Sequence, residues 1–264
     1  MQVYLSCPDC IEEQARHEAS SEPPDYVNTP KRLKSYPVQL TNEISYEVKC
    51  DFGHSSAVLV GSTNHEILFE FGVHSILDGY YREAITSFAA SLERFYEFAS
   101  RSIAIAYGCP EEKEVKCWEY VAAQSERQLG AYIYLYAAHF KEEPRLLSGS
   151  NVKLRNASVH KGKIPTRNQA VKFGNEVLSI ITEISLKLWQ TIPQAAHKVL
   201  SDRTQISINN IVNAGGTRPK HVQSIGLATH GKRPLEEHLK RKVMEHSRNT
   251  LDKHRKIIEE LKNR

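Results

Sequence analysis

The sequence predicts a mainly α fold, a helical bundle with a small β module before it and a long helix after it. Three observations carry this prediction. The apolar period changes from two residues to about 3.6 at Thr63. Three long amphipathic stripes follow that point, and the segment between the two Cys-containing turns of residues 1–62 holds too few apolar side chains to form a core. With 264 residues, 40% hydrophobic and 25% charged, the chain has the composition of a globular protein and not of a disordered or fibrous one. No apolar run approaches the roughly 20 residues of a membrane-crossing helix, and MQVYLSCPDC lacks the layout of a signal peptide, so a cytoplasmic location is expected.

The N-terminal module, residues 1–62, contains two matched pieces. QVYL runs into Cys7-Pro-Asp-Cys10, and ISYEV runs into Cys50-Asp-Phe-Gly-His54. Each reads as a strand entering a ligand turn, with Gly53 suited to the tight backbone there. A two-residue gap lets both thiols of one turn reach the same ion, and Cys50 with His54 completes a tetrahedral set. Structural zinc is therefore the expected cofactor, in a zinc-ribbon-like module, with no position left open for a catalytic water. The segment between the pairs, with SSEPPD and NTPKR, is too polar for a core, so the metal would hold the module together. Five cysteines is an odd number, and a reducing compartment disfavours disulfides; Cys109 and Cys117 are expected to be core thiols.

Residues 63–190 form the predicted bundle. Asn64 to Asp78 is a short helix closed by Asp78-Gly79. The stripe Ile85, Phe88, Leu92, Phe95, Ala99, Ile103, Ala106 is one face of a long helix. Val115, Trp118, Ala122, Ser125, Leu129, Ile133, Tyr136, Phe140 is a second, and Val171, Gly174, Val177, Ile181, Ile184, Leu188 a third. Thr63 with Glu66 and Thr166 with Gln169 read as capping boxes, and Pro110 followed by Glu111 and Glu112 suits a first turn.

Between the second and third long helices, residues 141–165 read as a loop of about 25 residues, a length usually reserved for function. It carries Arg155, Asn156 and His160, followed by Lys161, Lys163 and Arg167. A guanidinium stabilises charge on a pentacoordinate phosphate, and an imidazole exchanges protons near neutral pH. The spacing alone selects nothing, because Arg233 with His238, Arg241 with His246 and Arg248 with His254 repeat it in the charged C-terminal region. Context selects the first pair: it follows two amphipathic helices and ends at a capped helix start, while Asn directly after Arg is a feature it shares with Arg248.

The stretch RNASVH at 155–160, the following KGKIPT, and AITSFAASLERFYEFASR upstream resemble the HEPN family of all-helical domains. The resemblance covers about Thr63 to Leu188 and neither the N-terminal module nor the tail. It implies a HEPN-like bundle and metal-independent RNA cleavage by a ribose 2′-hydroxyl, as in toxin, abortive-infection and antiphage systems. It also implies a homodimer whose two motifs line one cleft. The roles that follow are His160 as general acid or base, Arg155 on the phosphorane charge, and Asn156 on the phosphate or the His ring. Glu93 would orient Arg155, and Lys161, Lys163 and Arg167 would contact RNA. An antitoxin or sensor protein is an expected further partner. Some HEPN domains lack catalysis and serve as dimerisation or binding modules.

The basic C-terminal extension, residues 191–264, resists assignment up to Arg233. From Pro234 to Leu261 a charged helix is expected, with Leu239, Val243, His246, Thr250, His254, Ile257 and Leu261 on a ragged stripe. From Gln190 onward there are 15 Lys or Arg against 7 Asp or Glu, a net +8, while the preceding residues carry −4. Such a charge suits a phosphate backbone. The alternative function is a non-catalytic nucleic-acid or protein-binding adaptor using the zinc module and this basic tail.

Overall fold

The computed structural model describes residues 2–20, 34–41, 43–215, 218–219, 221–224, 234–240 and 242. It is mainly helical with a small N-terminal β module. Two compact units divide the chain: Met1–Thr63 with His197–Gly226, and Asn64–Ala196 with Leu227–Arg264. Among the described residues no helix is long and apolar enough to cross a membrane.

In the first unit, β1 (Gln2–Ser6) leads into α1 (Pro8–Ser20). Strand β2 (Ser35–Gln39) returns antiparallel to β1, with Val3 opposite Val38 and Leu5 opposite Tyr36. Pro37, which has no N–H to give, fits a sheet of only two strands. Strands β3 (Ser45–Lys49) and β4 (Ser55–Val60) form a hairpin whose turn contains Cys50 and His54. Period-two patterning buries Val3 and Leu5 in β1 and Tyr46 and Val48 in β3.

The sequence placed both Cys7 and Cys10 in a turn; instead Cys10 lies in the first turn of α1. Pro8 opens the helix with a preset φ, Asp9 complements its dipole, and the Cys7 carbonyl accepts the Ile11 N–H at 3.2 Å. The module is therefore strand, helix and strands, and not a pair of hairpin knuckles. Helix α8 (Pro193–Asn213) and β5 (His221–Gln223) come from the stretch that sequence left unassigned, and β5 pairs parallel with β4.

In the second unit the first and third of the 3.6-residue stripes behave as read. Helix α2 (Asn64–Leu77) buries Phe69, Val73 and Ile76, and α3 (Tyr81–Ala106) buries its stripe from Ile85 to Ile103. Helix α7 (Arg167–Thr191) buries Val171 through Leu188 and starts at the Thr166–Gln169 capping box, both bonds of which form. Helix α3 is the central element, packed on α2, on α5 (Ser125–Phe140), on α6 (Gly149–His160) and on α7.

Phe88 occupies a slot made by two glycines. A Cβ at Gly72 would lie 2.5 Å from its ring, and one at Gly174 would lie 2.8 Å from the ring and 2.6 Å from Leu235. Gly72→Ala and Gly174→Ala are each expected to destabilise the bundle by about 1–3 kcal/mol through overpacking. Thermal melting checks this, and an unshifted midpoint in both variants would contradict the close packing.

Three expectations for this unit are corrected. The second stripe is two helices: α4 (Glu111–Ala122) ends, Gln124 adopts extended backbone, and α5 begins. No Gly or Pro marks that break, so the periodicity reads through it. Helix α4 is peripheral and buries only Glu114, held by both arms of Arg101 at 2.8 and 2.9 Å. Cys117 on α4 is consequently exposed and Cys109 half-buried, so neither is a core thiol. The long loop, finally, contains α6, which buries only Leu154 and Ser158 and so carries no apolar period to read.

Residues 235–240 are helical, with Leu235 and Leu239 buried and His238 Nε2 2.9 Å from Glu70. The rest of the expected C-terminal stripe, from Val243 through His246 and His254 to Leu261, lies outside the described residues, as do most of SSEPPD and all of NTPKR.

Candidate functional site

Two clusters of chemistry-bearing side chains stand out, one in each unit. In the first, Cys7, Cys10, Cys50 and His54 bring one donor atom each to within 4.8 Å of one another. Cys10 Sγ is 3.7 Å from Cys50 Sγ and 3.4 Å from His54 Nδ1, and Cys7 Sγ is 3.8 Å from that nitrogen. A tetrahedral site with thiolate and imidazole ligands has edges of about 3.8 Å between sulfurs and about 3.6 Å from sulfur to nitrogen. The four donors are thus spaced to hold a metal ion.

Local structure explains the convergence. Gly53, at φ +85°, tightens the turn, in which the Cys50 N–H bonds the His54 carbonyl at 3.0 Å. On the other side, the N-terminus of α1 brings its positive dipole end to Cys7 and Cys10. Glu13 was not foreseen. It lies three residues after Cys10, on the same face of α1, with Oε1 3.2 Å from His54 Nε2. That carboxylate holds the proton on Nε2 and leaves the Nδ1 lone pair facing the thiols. Only a reading of residues 8–20 as helix would have found it.

The site shifts Cys10 and Cys50 in opposite directions. Burial, then hydrogen bonds to Cys50 and Cys7 and the charge of those neighbours, push the Cys10 thiol up to about 12. At Cys50 burial is the largest single cause and opposes ionisation, but hydrogen bonds from the backbone N–H groups of His54 and Phe52 and from the Cys10 and Cys7 thiols together bring the thiol below its ordinary value. A bound cation must displace these protons, so metal affinity is expected to fall as pH is lowered from about 8 to about 6. Competition against a chromophoric chelator at the two pH values measures this, and affinity that rises on acidification would argue against thiolate ligation.

In the second cluster, Arg155 and Asn156 lie mid-way along α6. Both ends of this helix are tied down. At its N-terminus Glu176 of α7 accepts hydrogen bonds from the Ser148 N–H at 2.8 Å, from the Ser148 hydroxyl at 3.0 Å and from Asn151. At its C-terminus Arg82 of α3 donates Nε–H to the Ser158 carbonyl at 3.0 Å. An anion at the first turn and a cation at the last both suit the helix dipole. These contacts substitute for the missing apolar stripe and fix which way α6 turns its side chains.

So held, α6 points the Arg155 guanidinium at Glu93 of α3, with Nη2 2.9 Å from Oε1, while Nη1 donates to Asn156 Oδ1 at 3.0 Å. Both partners of the ion pair are about a quarter to a third exposed, at 25% and 31%, so a ligand can reach them. Glu93, Arg155 and Asn156 line a cavity of about 320 Å³ together with Tyr96, Gln128 and a set of aliphatic side chains. Burial, and secondarily Glu176, push the Tyr96 phenol above its ordinary value, which keeps its hydroxyl protonated.

His160 is exposed, as the last residue of α6, and does not line this cavity. Five residues on a helix correspond to about 140° of rotation and about 7.5 Å of rise, so within one chain Arg155 and His160 face different ways. Lys161 and Lys163 are exposed in the connection to α7, and Arg167, at its start, lies 3.4 Å from Glu236. The sequence reading named Glu93 for Arg155 but took the segment as a loop, and it missed Arg82 and Glu176, which are separated from it by long stretches of chain and carry no local signal. Comparison with protein-family models, with curated proteins and with solved structures gives no match.

Proposed function

We propose that the chain is a metal-independent endoribonuclease of HEPN type, acting as a homodimer in a toxin, abortive-infection or antiphage role. The observation that carries this reading is the Glu93–Arg155–Asn156 constellation lining a cavity, with Arg155 and Asn156 on the helix that ends in the exposed His160. Arg155, oriented by Glu93, is in position to meet charge developing on a phosphate, and Asn156 adds a side-chain amide to hold an oxygen. His160 removes the proton from a ribose 2′-hydroxyl or delivers one to the departing 5′-oxygen. The 2′-oxygen then bonds to phosphorus as the bond to the 5′-oxygen breaks, leaving a 2′,3′-cyclic phosphate and a 5′-hydroxyl.

Because one chain turns Arg155 and His160 apart, the reading places the two motifs of a face-to-face dimer along a single cleft, where residues from both copies serve one phosphate. Lys161, Lys163 and Arg167 would grip the flanking backbone. An antitoxin or sensor protein would restrain such an activity in its host.

The Cys7, Cys10, Cys50 and His54 set fits zinc: three soft thiolates and an imidazole at tetrahedral spacing suit that ion, and a full ligand count gives it a structural role. The bundle residues would then act without a metal, so cleavage should persist during brief exposure to a chelator. The decisive readout is RNA end chemistry. A cyclic phosphate end supports the mechanism, whereas a 3′-hydroxyl with a 5′-phosphate would overturn it.

A further inference from the structure

The cavity at Arg155 carries chemistry that phosphoryl transfer does not use. Its walls include Leu92, Leu129, Leu147 and Val152, and most of its lining surface is apolar. At about 320 Å³ it lies at the lower edge of the roughly 300–1,000 Å³ of small-molecule sites, room for one flat ring system and not for a long chain. Apolar walls favour ring faces over charged groups.

Two polar side chains give the space a direction. Gln128 is 3% exposed, and its amide cannot turn: Oε1 accepts from Arg94 at 2.8 Å and Nε2 donates to the Ala122 carbonyl at 2.8 Å. Among the described residues it makes these two bonds, which leaves one N–H and one lone pair for a ligand. Glu126, also in the lining, brings a carboxylate that accepts hydrogen bonds and gives none. A fixed donor and acceptor on the buried Gln128, with an acceptor at the exposed Glu126, in a largely apolar slot, match the hydrogen-bonding edge of a nucleobase. The carboxylate favours an exocyclic amino group and repels a carbonyl in its place.

We propose that this cavity binds the nucleobase adjacent to the phosphate at Arg155 and selects bases bearing an exocyclic amino group over uracil. This rests on the ribonuclease reading for the identity of the strand, while the recognition itself comes from Gln128, Glu126 and the aliphatic walls. It makes the enzyme base-selective at the cut site, with the reading done by α3 and α5 and the chemistry by α6.

The test separates binding from cleavage. Full-length His160→Ala protein is titrated calorimetrically with AMP, GMP, CMP and UMP as probes. The amino-bearing nucleotides are expected to bind about tenfold more tightly than UMP. Val152→Trp, a change at an exposed wall residue, should fill the slot and abolish binding of all four, and Glu126→Gln should reduce the preference to about threefold or less, both at unchanged melting temperature. Equal binding of UMP, or unaltered binding in Val152→Trp, overturns the proposal. Preferential binding by a chain whose wild type cuts no RNA supports the pocket and removes only the ribonuclease reading. RNA cleavage without base preference, with all four nucleotides bound alike, removes only the pocket.

Discussion

His160→Ala is expected to lower RNA cleavage by about 10²- to 10⁴-fold, the usual contribution of a positioned acid or base. Arg155→Ala should cost a comparable factor, since it removes the group that meets the phosphorane charge. Neither loss should follow from unfolding. His160 is exposed, and the Arg155–Glu93 pair is solvent-accessible enough that its net contribution to stability is about 1 kcal/mol or less. Melting temperatures measured beside the rates keep the two explanations apart. Equal cleavage by His160→Ala and wild type would sink the catalytic assignment.

The same experiment addresses the adaptor alternative. An adaptor would show no cleavage by the wild type, and salt-sensitive RNA binding that survives His160→Ala. Deleting the basic tail is informative only if the cut falls after Lys242. Leu235, His238 and Leu239 are buried in the second unit, so a cut at Pro234 would remove part of the core along with the charge.

The second large effect is expected at the metal cluster. Cys50→Ser, or Cys10→Ser, should unfold the N-terminal module. Structural zinc contributes about 10–16 kcal/mol to small domains at neutral pH, against about 5–15 kcal/mol for the whole stability of an ordinary one. The paired strands β1–β2 are only five residues each, and all four candidate ligands come from the ends of short elements, so losing the ion removes the tie between them. Metal analysis should find one zinc per chain in the wild type and none in the variants. Limited proteolysis should cut residues 1–63 of the variants while the helical signal of the bundle persists. A metal-free wild type with an intact module would refute the assignment.

Much of this site was legible in the sequence. Cys7, Cys10, Cys50 and His54 were readable because ligand spacing in a turn is set by the backbone over a few residues. Helices α3 and α7 were readable because burial of one face repeats every 3.6 residues, and Thr166 with Gln169 was readable because a capping box closes within four. The trio Arg155, Asn156 and His160 was picked out, but as part of a loop. Helix α6 has hardly any apolar stripe, and the contacts that hold it, Glu176 at one end and Arg82 at the other, come from distant segments.

What the sequence determined by itself, then, is the mainly α class, the two strongest helices of the bundle and the four Cys and His side chains able to hold a metal ion. These are written in short-range periods and spacings. Only the tertiary structure decided that α4 and α5 are separate and that Glu13 backs His54. It alone sets Glu93, 62 positions from Arg155, at hydrogen-bond distance beside a cavity ending in Gln128 and Glu126. The physical reason is that periodicity reports which face of an element is buried. Which side chains meet across two elements depends on how those faces pack, and no local pattern records that.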